Sequence, residues 1–447
     1  MGRLSVLHLT SKSPQDGQMF YGVNKKMKAI EDRSLDEFRL MLAGRELVPI
    51  MQGGMGVNIS TAEMALSVAR EGGVGHVSDA MLPDLVDRLF GTGFTKMKAG
   101  LCRAADAALG KAAFHFPLDD VRAAAKQYIE SVMQKKTGDA KEGLIFVNVM
   151  EKLTMNDSLA SLRARLLGAL DGGVDGISLS AGLHTSSFSL MSEHPRFRDA
   201  MLGIVVSSRR ALNLFLRRSA KTGRMPDYIV VEGPLAGGHL GFDMTDWVNF
   251  KLADIVRDVK VYLAENSLSI PVIAGGGVFT GTDGVRLIEE AGAAGVQVAT
   301  RFTVTQESGL PDAVKQRYLD AEEGEIEVNG VSPTGYPMRM LKSSPAINAS
   351  LKPQCEAYGY MLDRGGCAYL KAWEAADATG DVKEGIPGKT CLCAQMRNCK
   401  VWTVGATGHR LKETTVRSED GQWVLPTTAE VFNDYRYGIN DEVKARK

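Results

Sequence analysis

The chain carries two alternating hydrophobic periods. From residue 47 onward, short runs rich in Val, Ile and Leu end in glycine or a polar residue, and stretches with helical spacing lie between them. The runs are LVPIMQGG (47–54), GVGHVSDA (73–80), GLIFVNVM (143–150), GVDGISLSAG (173–182), LGIVVSS (202–208), DYIVVEG (227–233), IPVIAGGG (270–277) and AGVQVATRF (294–302). Near-continuous apolar runs of this length read as strands buried on both faces. Between two of them, TAEMALSVAREGG has apolar residues at 62, 65, 66 and 69. It also has a capping box of Ser60 with Glu63, and Gly72 and Gly73 as a stop. SLASLRARLLGALDGG and TDGVRLIEEAGAAG repeat the form.

Strands alternating with helices build parallel β/α units, and eight of them predict an α/β fold closed as a (β/α)8 TIM barrel. The alternative, an open doubly wound sheet, would carry GxGxxG after its first strand; QGGMGVN is spaced differently. The expected organisation is an N-terminal extension over 1–44 and the barrel over 45–302. A last barrel helix and a small added substrate-domain segment follow over 303–349, where LPDAVKQRYLDAEEGE and SPTGYPMRML lie. A C-terminal extension over 350–447 completes the chain, where the strand–helix rhythm stops.

Composition narrows the class. The 447 residues balance 53 Lys+Arg against 53 Asp+Glu, so no polyelectrolyte partner is implied. There is no basic stripe interleaved with aromatics, which argues against nucleic acid. No apolar run approaches the ~20 residues of a membrane span, and the apolar core of MGRLSVLHLTSKSPQDGQ is too short for a secretory signal. A cytoplasmic, reducing location is expected. The six cysteines are then thiols or metal ligands rather than disulfides. Five of them, Cys355, Cys367, Cys391, Cys393 and Cys399, fall in the last 98 residues. Their CLCAQMRNC spacing matches neither a CxxC zinc site nor a ferredoxin run, so buried thiols are favoured over a metal. The expected partners are a small-molecule substrate and, at most, further copies of the same chain.

The chemistry collects at strand ends, which converge on one face of a barrel. Gly276 and Gly277 in AGGG, with Ala299 and Thr300 in VATRF, occupy the loops after strands seven and eight. That is where barrels commonly hold a phosphate, on backbone N–H groups; a pair of tight turns is the plain alternative. Gly53 and Gly54 in PIMQGGMG leave room for a flat ring against backbone, and Met51 and Met55 offer soft apolar surface. Asn148 places a carboxamide inside an apolar strand, where it must find partners. His239 follows Gly237 and Gly238 on a loop after strand six, and an imidazole there can exchange a proton near neutral pH. His184, after strand four, is its rival on that face.

Together PIMQGGMG, EGPLAGGHLGF, PVIAGGGVFTGTDGVRLIEEAGAAGVQVATRF and SPTGYP resemble the nitronate monooxygenase (2-nitropropane dioxygenase) family. That family also holds the flavin-dependent enoyl-ACP reductase II enzymes. The resemblance covers roughly residues 45–345. It implies a barrel binding FMN, with Gly53, Gly54 and Met55 along the flavin and Asn148 at its ring edge. Gly276, Gly277, Ala299 and Thr300 would seat the phosphate, and His239 would face the reactive side, with Gly237 and Gly238 making room. It implies an oxidoreductase that oxidises alkyl nitronates or nitroalkanes with O2. The alternatives are an NAD(P)H-dependent reductase of enoyl thioesters and a flavin-binding subunit of a larger complex. The chain departs from the family at Leu235, where a glutamate is frequent, at Ala299, where glycine is usual, and in its longer tail.

Overall fold

A computed structural model describes residues 30–96, 117–151, 153–154, 158–347, 351–353, 361–362, 367–380, 386 and 388–443. Eight strands close into one parallel barrel: β1 (Ile50–Gln52), β2 (Val74–Ser78), β3 (Leu144–Met150), β4 (Gly176–Ser180), β5 (Met201–Val206), β6 (Tyr228–Glu232), β7 (Val272–Gly275) and β8 (Gly295–Val298). Each pairs with the next, and β8 returns to β1 with Val296 opposite Ile50. All eight apolar runs are therefore barrel strands, in chain order. They run apolar because both faces are covered: Val77, Ile145, Val147, Ile177, Ile204 and Val231 face the helices, whereas Met51, Phe146, Tyr228, Val230 and Ile273 fill the interior.

An antiparallel hairpin, Leu40–Leu42 with Arg45–Leu47, closes one end of the barrel. Its Leu40, Leu42 and Leu47 join the interior cluster beside Val74 and Leu144, where β2 and β3 begin. The opposite end, where strands finish, is left free for a site. Helix Ala62–Arg70 starts one residue later than its expected cap. Thr61, not Ser60, accepts the Met64 N–H. Two adjacent hydroxyls offer the same capping chemistry, and the Ser60 hydroxyl is drawn instead into the loop after β1.

The C-terminal part of the chain packs onto the barrel. Helix Thr428–Tyr437 lies between helices Ala62–Arg70 and Gly281–Ala291. It buries Val431, Phe432 and Tyr435 against Ile50, Val296, Val298 and Phe302. A buried ion pair fastens it: Arg301 Nη2 donates to Asp434 Oδ2 at 2.5 Å, and Arg301 Nη1 donates to the Phe279 carbonyl at 3.1 Å. A small antiparallel sheet rises over the strand C-terminal ends, in the order Gly238–His239, Met338–Leu341, Ile326–Asn329. Thr403 from the tail bridges to Met340 of this sheet. Among the described residues, no helix is long and apolar enough to cross a membrane.

Candidate active site

A cavity of about 560 Å³ opens at the strand C-terminal ends. Its size suits a small molecule or cofactor. Six of the expected residues line it: Gly54, Met55, Asn148, Gly237, Gly238 and His239. Their support explains their positions. Ser60 Oγ accepts the Met55 N–H at 2.8 Å and donates to the Gly53 carbonyl at 3.2 Å, and Gln52 Nε2 donates to Ser60 Oγ at 2.8 Å. Gly54 must be glycine because a Cβ there would fall 2.2 Å from Asn148 Cβ. Asn148 is 6% exposed as a residue, and its carboxamide makes no hydrogen bond to the described residues. The amide faces the cavity, where its donors and acceptor are open to whatever fills that space.

His239 is held by the small sheet, where it pairs with Met338. Its Nε2 lies 2.8 Å from Ser332 Oγ, which lies 2.8 Å from Thr334 Oγ1. Burial pushes the imidazole down to about 4, so it is neutral at physiological pH. The loop before it is gripped by Arg339, a buried guanidinium over the Trp247 ring that donates to the Pro234 and Ala236 carbonyls at 2.5 and 2.7 Å. His184, the rival, is buried and engaged on both ring nitrogens, by Ser187 Oγ and the Ser180 carbonyl, each at 2.7 Å. It does not line the cavity.

The other five expected residues sit beside the cavity rather than on its lining. Gly53 abuts Gln297 and Ala299. Gly276 and Gly277 have φ of 97° and 91°, which glycine adopts without strain, and they pack on Ala236 and Leu235. Thr300 Oγ1 accepts the N–H of Gly405, at 3.1 Å. These residues share one corner, behind Gly237.

Sequence reasoning passed over several wall residues. Glu232 and Gln297 are polar residues in otherwise apolar strands, the signal that marks Asn148. Burial raises the Glu232 carboxyl to about 7. The tail supplies Leu392, Met396, Cys399, Val401 and Thr403. Cys399 is thus a cavity residue, and burial raises its thiol. Cys367, Cys391 and Cys393 lie in an apolar cluster, and Cys355 falls outside the described residues. Among the described residues, no group of three His, Cys, Asp or Glu side chains could hold a metal ion.

A closed parallel barrel with a ligand-sized cavity at its strand C-terminal ends, and a neutral histidine on the wall, defines an α/β-barrel enzyme. The chain belongs to the nitronate monooxygenase family, whose model matches residues 43–385, and so to the oxidoreductases. It is similar to the (3aS,4S,5R,7aS)-5-hydroxy-7a-methyl-1-oxo-octahydro-1H-indene-4-carboxyl-CoA dehydrogenase of Mycobacterium tuberculosis, 33% identical over 171 residues, which are 37% of this chain and 44% of the relative. The dehydrogenase of the same name from Rhodococcus jostii is 39% identical over 163 residues, 36% of this chain and 42% of the relative. The matched region thus spans less than half the length of these curated relatives. A probable nitronate monooxygenase of Staphylococcus haemolyticus is 36% identical over 106 residues, 24% of this chain and 29% of the relative. Among solved structures, the fold is shared with FabK from Thermotoga maritima, at TM-score 0.50, 19% identity and coverage of 90% and 94% of the two chains. It is shared also with nitroalkane oxidase from Streptomyces ansochromogenes, at TM-score 0.51, 18% identity and coverage of 87% and 94%.

Proposed function

We propose that the cavity binds FMN and a small substrate, and that the protein is a nitronate monooxygenase-type oxidoreductase in which His239 handles the substrate proton. The observation that carries the reading is the wall itself. An Asn148 carboxamide with no protein hydrogen bond, glycines at 54, 237 and 238 and a neutral histidine line one space. These residues fit the cofactor: Asn148 and Gln297 offer donors and acceptors to a ring edge, and Gly53 and Gly54 leave backbone for a flat ring. Gly276, Gly277, Ala299 and Thr300 offer N–H and hydroxyl groups to a phosphate. When bound, FMN would supply the two-electron redox chemistry.

The chain supplies position and proton transfer. With Nε2–H donating to Ser332, His239 Nδ1 holds the lone pair and takes the proton from the carbon bearing the nitro group. Leu183, Leu214, Met396 and Val401 give the rest of the wall an apolar lining.

A second reading, an acyl-thioester oxidoreductase, is favoured by the two relatives named as carboxyl-CoA dehydrogenases and by Arg210 at the cavity wall among leucines. His239 would then take the proton beside the thioester carbonyl. An NAD(P)H-driven enoyl reductase belongs to the same reading. An anaerobic visible spectrum separates the two. Flavin bands bleached by alkyl nitronate, but not by acyl-CoA or NADPH, support the first. Bleaching by acyl-CoA or NADPH alone supports the second. Failure to take up FMN at all sinks both.

A further inference from the structure

Glu232 is the cavity group that the reading above leaves without a task. It ends β6, lines the cavity, and makes no hydrogen bond or ion pair within the described residues. With His239 it brackets the glycine loop 233–238, so both side chains serve one space. Its strand neighbours offer it no charge: Gly275 of β7 lies opposite it, and Val206 ends β5 alongside, opposite Val231. The titratable and charged groups that share the cavity are His239, Arg210, Tyr336 and Cys399. Arg339, the buried cation that holds the following loop, is turned to the Pro234 and Ala236 carbonyls.

A half-buried carboxylate in this cavity, with no hydrogen bond or ion pair to hold it, is the less stable form of the group. We propose that Glu232 works as a neutral carboxylic acid, donating its O–H to the substrate oxygen that gains negative charge when His239 removes the proton. The balance is simple. The proton passes from substrate carbon to His239, and the C–H electron pair moves onto the nitro or carbonyl oxygen. Glu232 keeps its proton and shares it in a hydrogen bond. Such a donor is strongest in a water-poor site. Burial raising this carboxyl to about 7 agrees with it. The inference rests on the proposed function for the identity of the substrate oxygen.

Nitrate, a planar unreactive anion, tests it from pH 5.5 to 8.5. Its binding is read by the flavin spectrum and, independently of flavin, by the nitrate-dependent rise in Tm. In the wild-type protein, affinity should fall about tenfold per pH unit above pH 7, as one required proton is lost. Glu232→Gln keeps a donor and should bind with little pH dependence, whereas Glu232→Ala should bind weakly throughout. Equal pH slopes in wild type and Glu232→Gln, or no nitrate binding by either readout, overturn the inference. Loss of FMN uptake with the Tm effect intact would remove the proposed function and leave this one standing.

Discussion

His239 Nε2 and Ser332 Oγ lie 2.8 Å apart although 93 residues separate them in sequence. Ser332 Oγ also accepts the Thr334 N–H at 3.3 Å and lies 2.8 Å from Thr334 Oγ1, so its own position is fixed. This contact orients the ring, and a neutral imidazole that donates Nε2–H to Ser332 leaves Nδ1 to accept a proton. Ser332→Ala should lower kcat about 10- to 100-fold, the worth of a hydrogen bond to a group that becomes charged. KM should change little, and Ser332→Thr should recover part of the loss. Steady-state kinetics of the three proteins decides the point; an unchanged kcat in Ser332→Ala would remove the orienting role.

The acid side of the pH profile follows from the same ring. The His239 pKa is lowered, so the proton-accepting form persists as pH falls and is lost only near 4. The kcat/KM of the FMN-loaded protein should therefore hold through pH 6.5, where an ordinary histidine would already be half protonated. His239→Asn should lower kcat/KM by about 100- to 10,000-fold while flavin absorbance remains. A limb centred at 6.5 in the wild-type profile would show an open, solvated imidazole.

Much of this was legible in the chain because parallel strands, buried on both faces, cannot avoid reading as apolar runs. All eight stand in the sequence, and a polar side chain inside an apolar run, Asn148 in FVNVM, points to the site. Glu232 and Gln297 carry a polar side chain in an apolar run too, but each stands beside a stronger signal, the Gly-Gly-His loop for Glu232 and the VATRF turn for Gln297. Ser60 and Thr61 offer the same capping hydroxyl, and only packing decides which one turns inward: Thr61 caps the helix and Ser60 turns into the loop. The tail had no such signal. Val401 and Thr403 reach the cavity, and Phe432 reaches the core, through contacts across hundreds of residues, which no local period encodes.

Gly54 and Asn148 should behave as one unit. A Cβ at position 54 would meet Asn148 at 2.2 Å, with its carboxamide carbon at 2.8 Å. Gly54→Ala must displace that side chain from the wall. Asn148→Ala instead leaves a gap and removes the donors and acceptors. Both should weaken FMN binding by about 10- to 100-fold, as expected for losing one or two hydrogen bonds in a buried site. Combining them should cost less than the sum, because the alanine at 148 makes room for the one at 54. Fluorescence titration of cofactor-free protein with FMN measures all four affinities. Full additivity would mean that the two positions do not share a wall.

The tail helix is held by an ion pair whose loss should be expensive. The Arg301 and Asp434 side chains are 2% and 6% exposed, and their 2.5 Å contact is backed by the Phe279 carbonyl and the Tyr435 ring. Removing one partner strands the other charge in a dry interior, which costs about 3–5 kcal/mol. Asp434→Leu and Arg301→Leu should each shift the denaturation midpoint by that order. The double replacement should recover much of the loss, because apolar side chains of similar volume carry no desolvation cost. Arg301 directly follows Thr300, which accepts the Gly405 N–H beside the expected phosphate corner, so the single variants should also lose FMN affinity. Chemical denaturation with and without FMN reads both effects. Equal destabilisation in the single and double variants would mean that packing, and not the charge pair, fastens the helix.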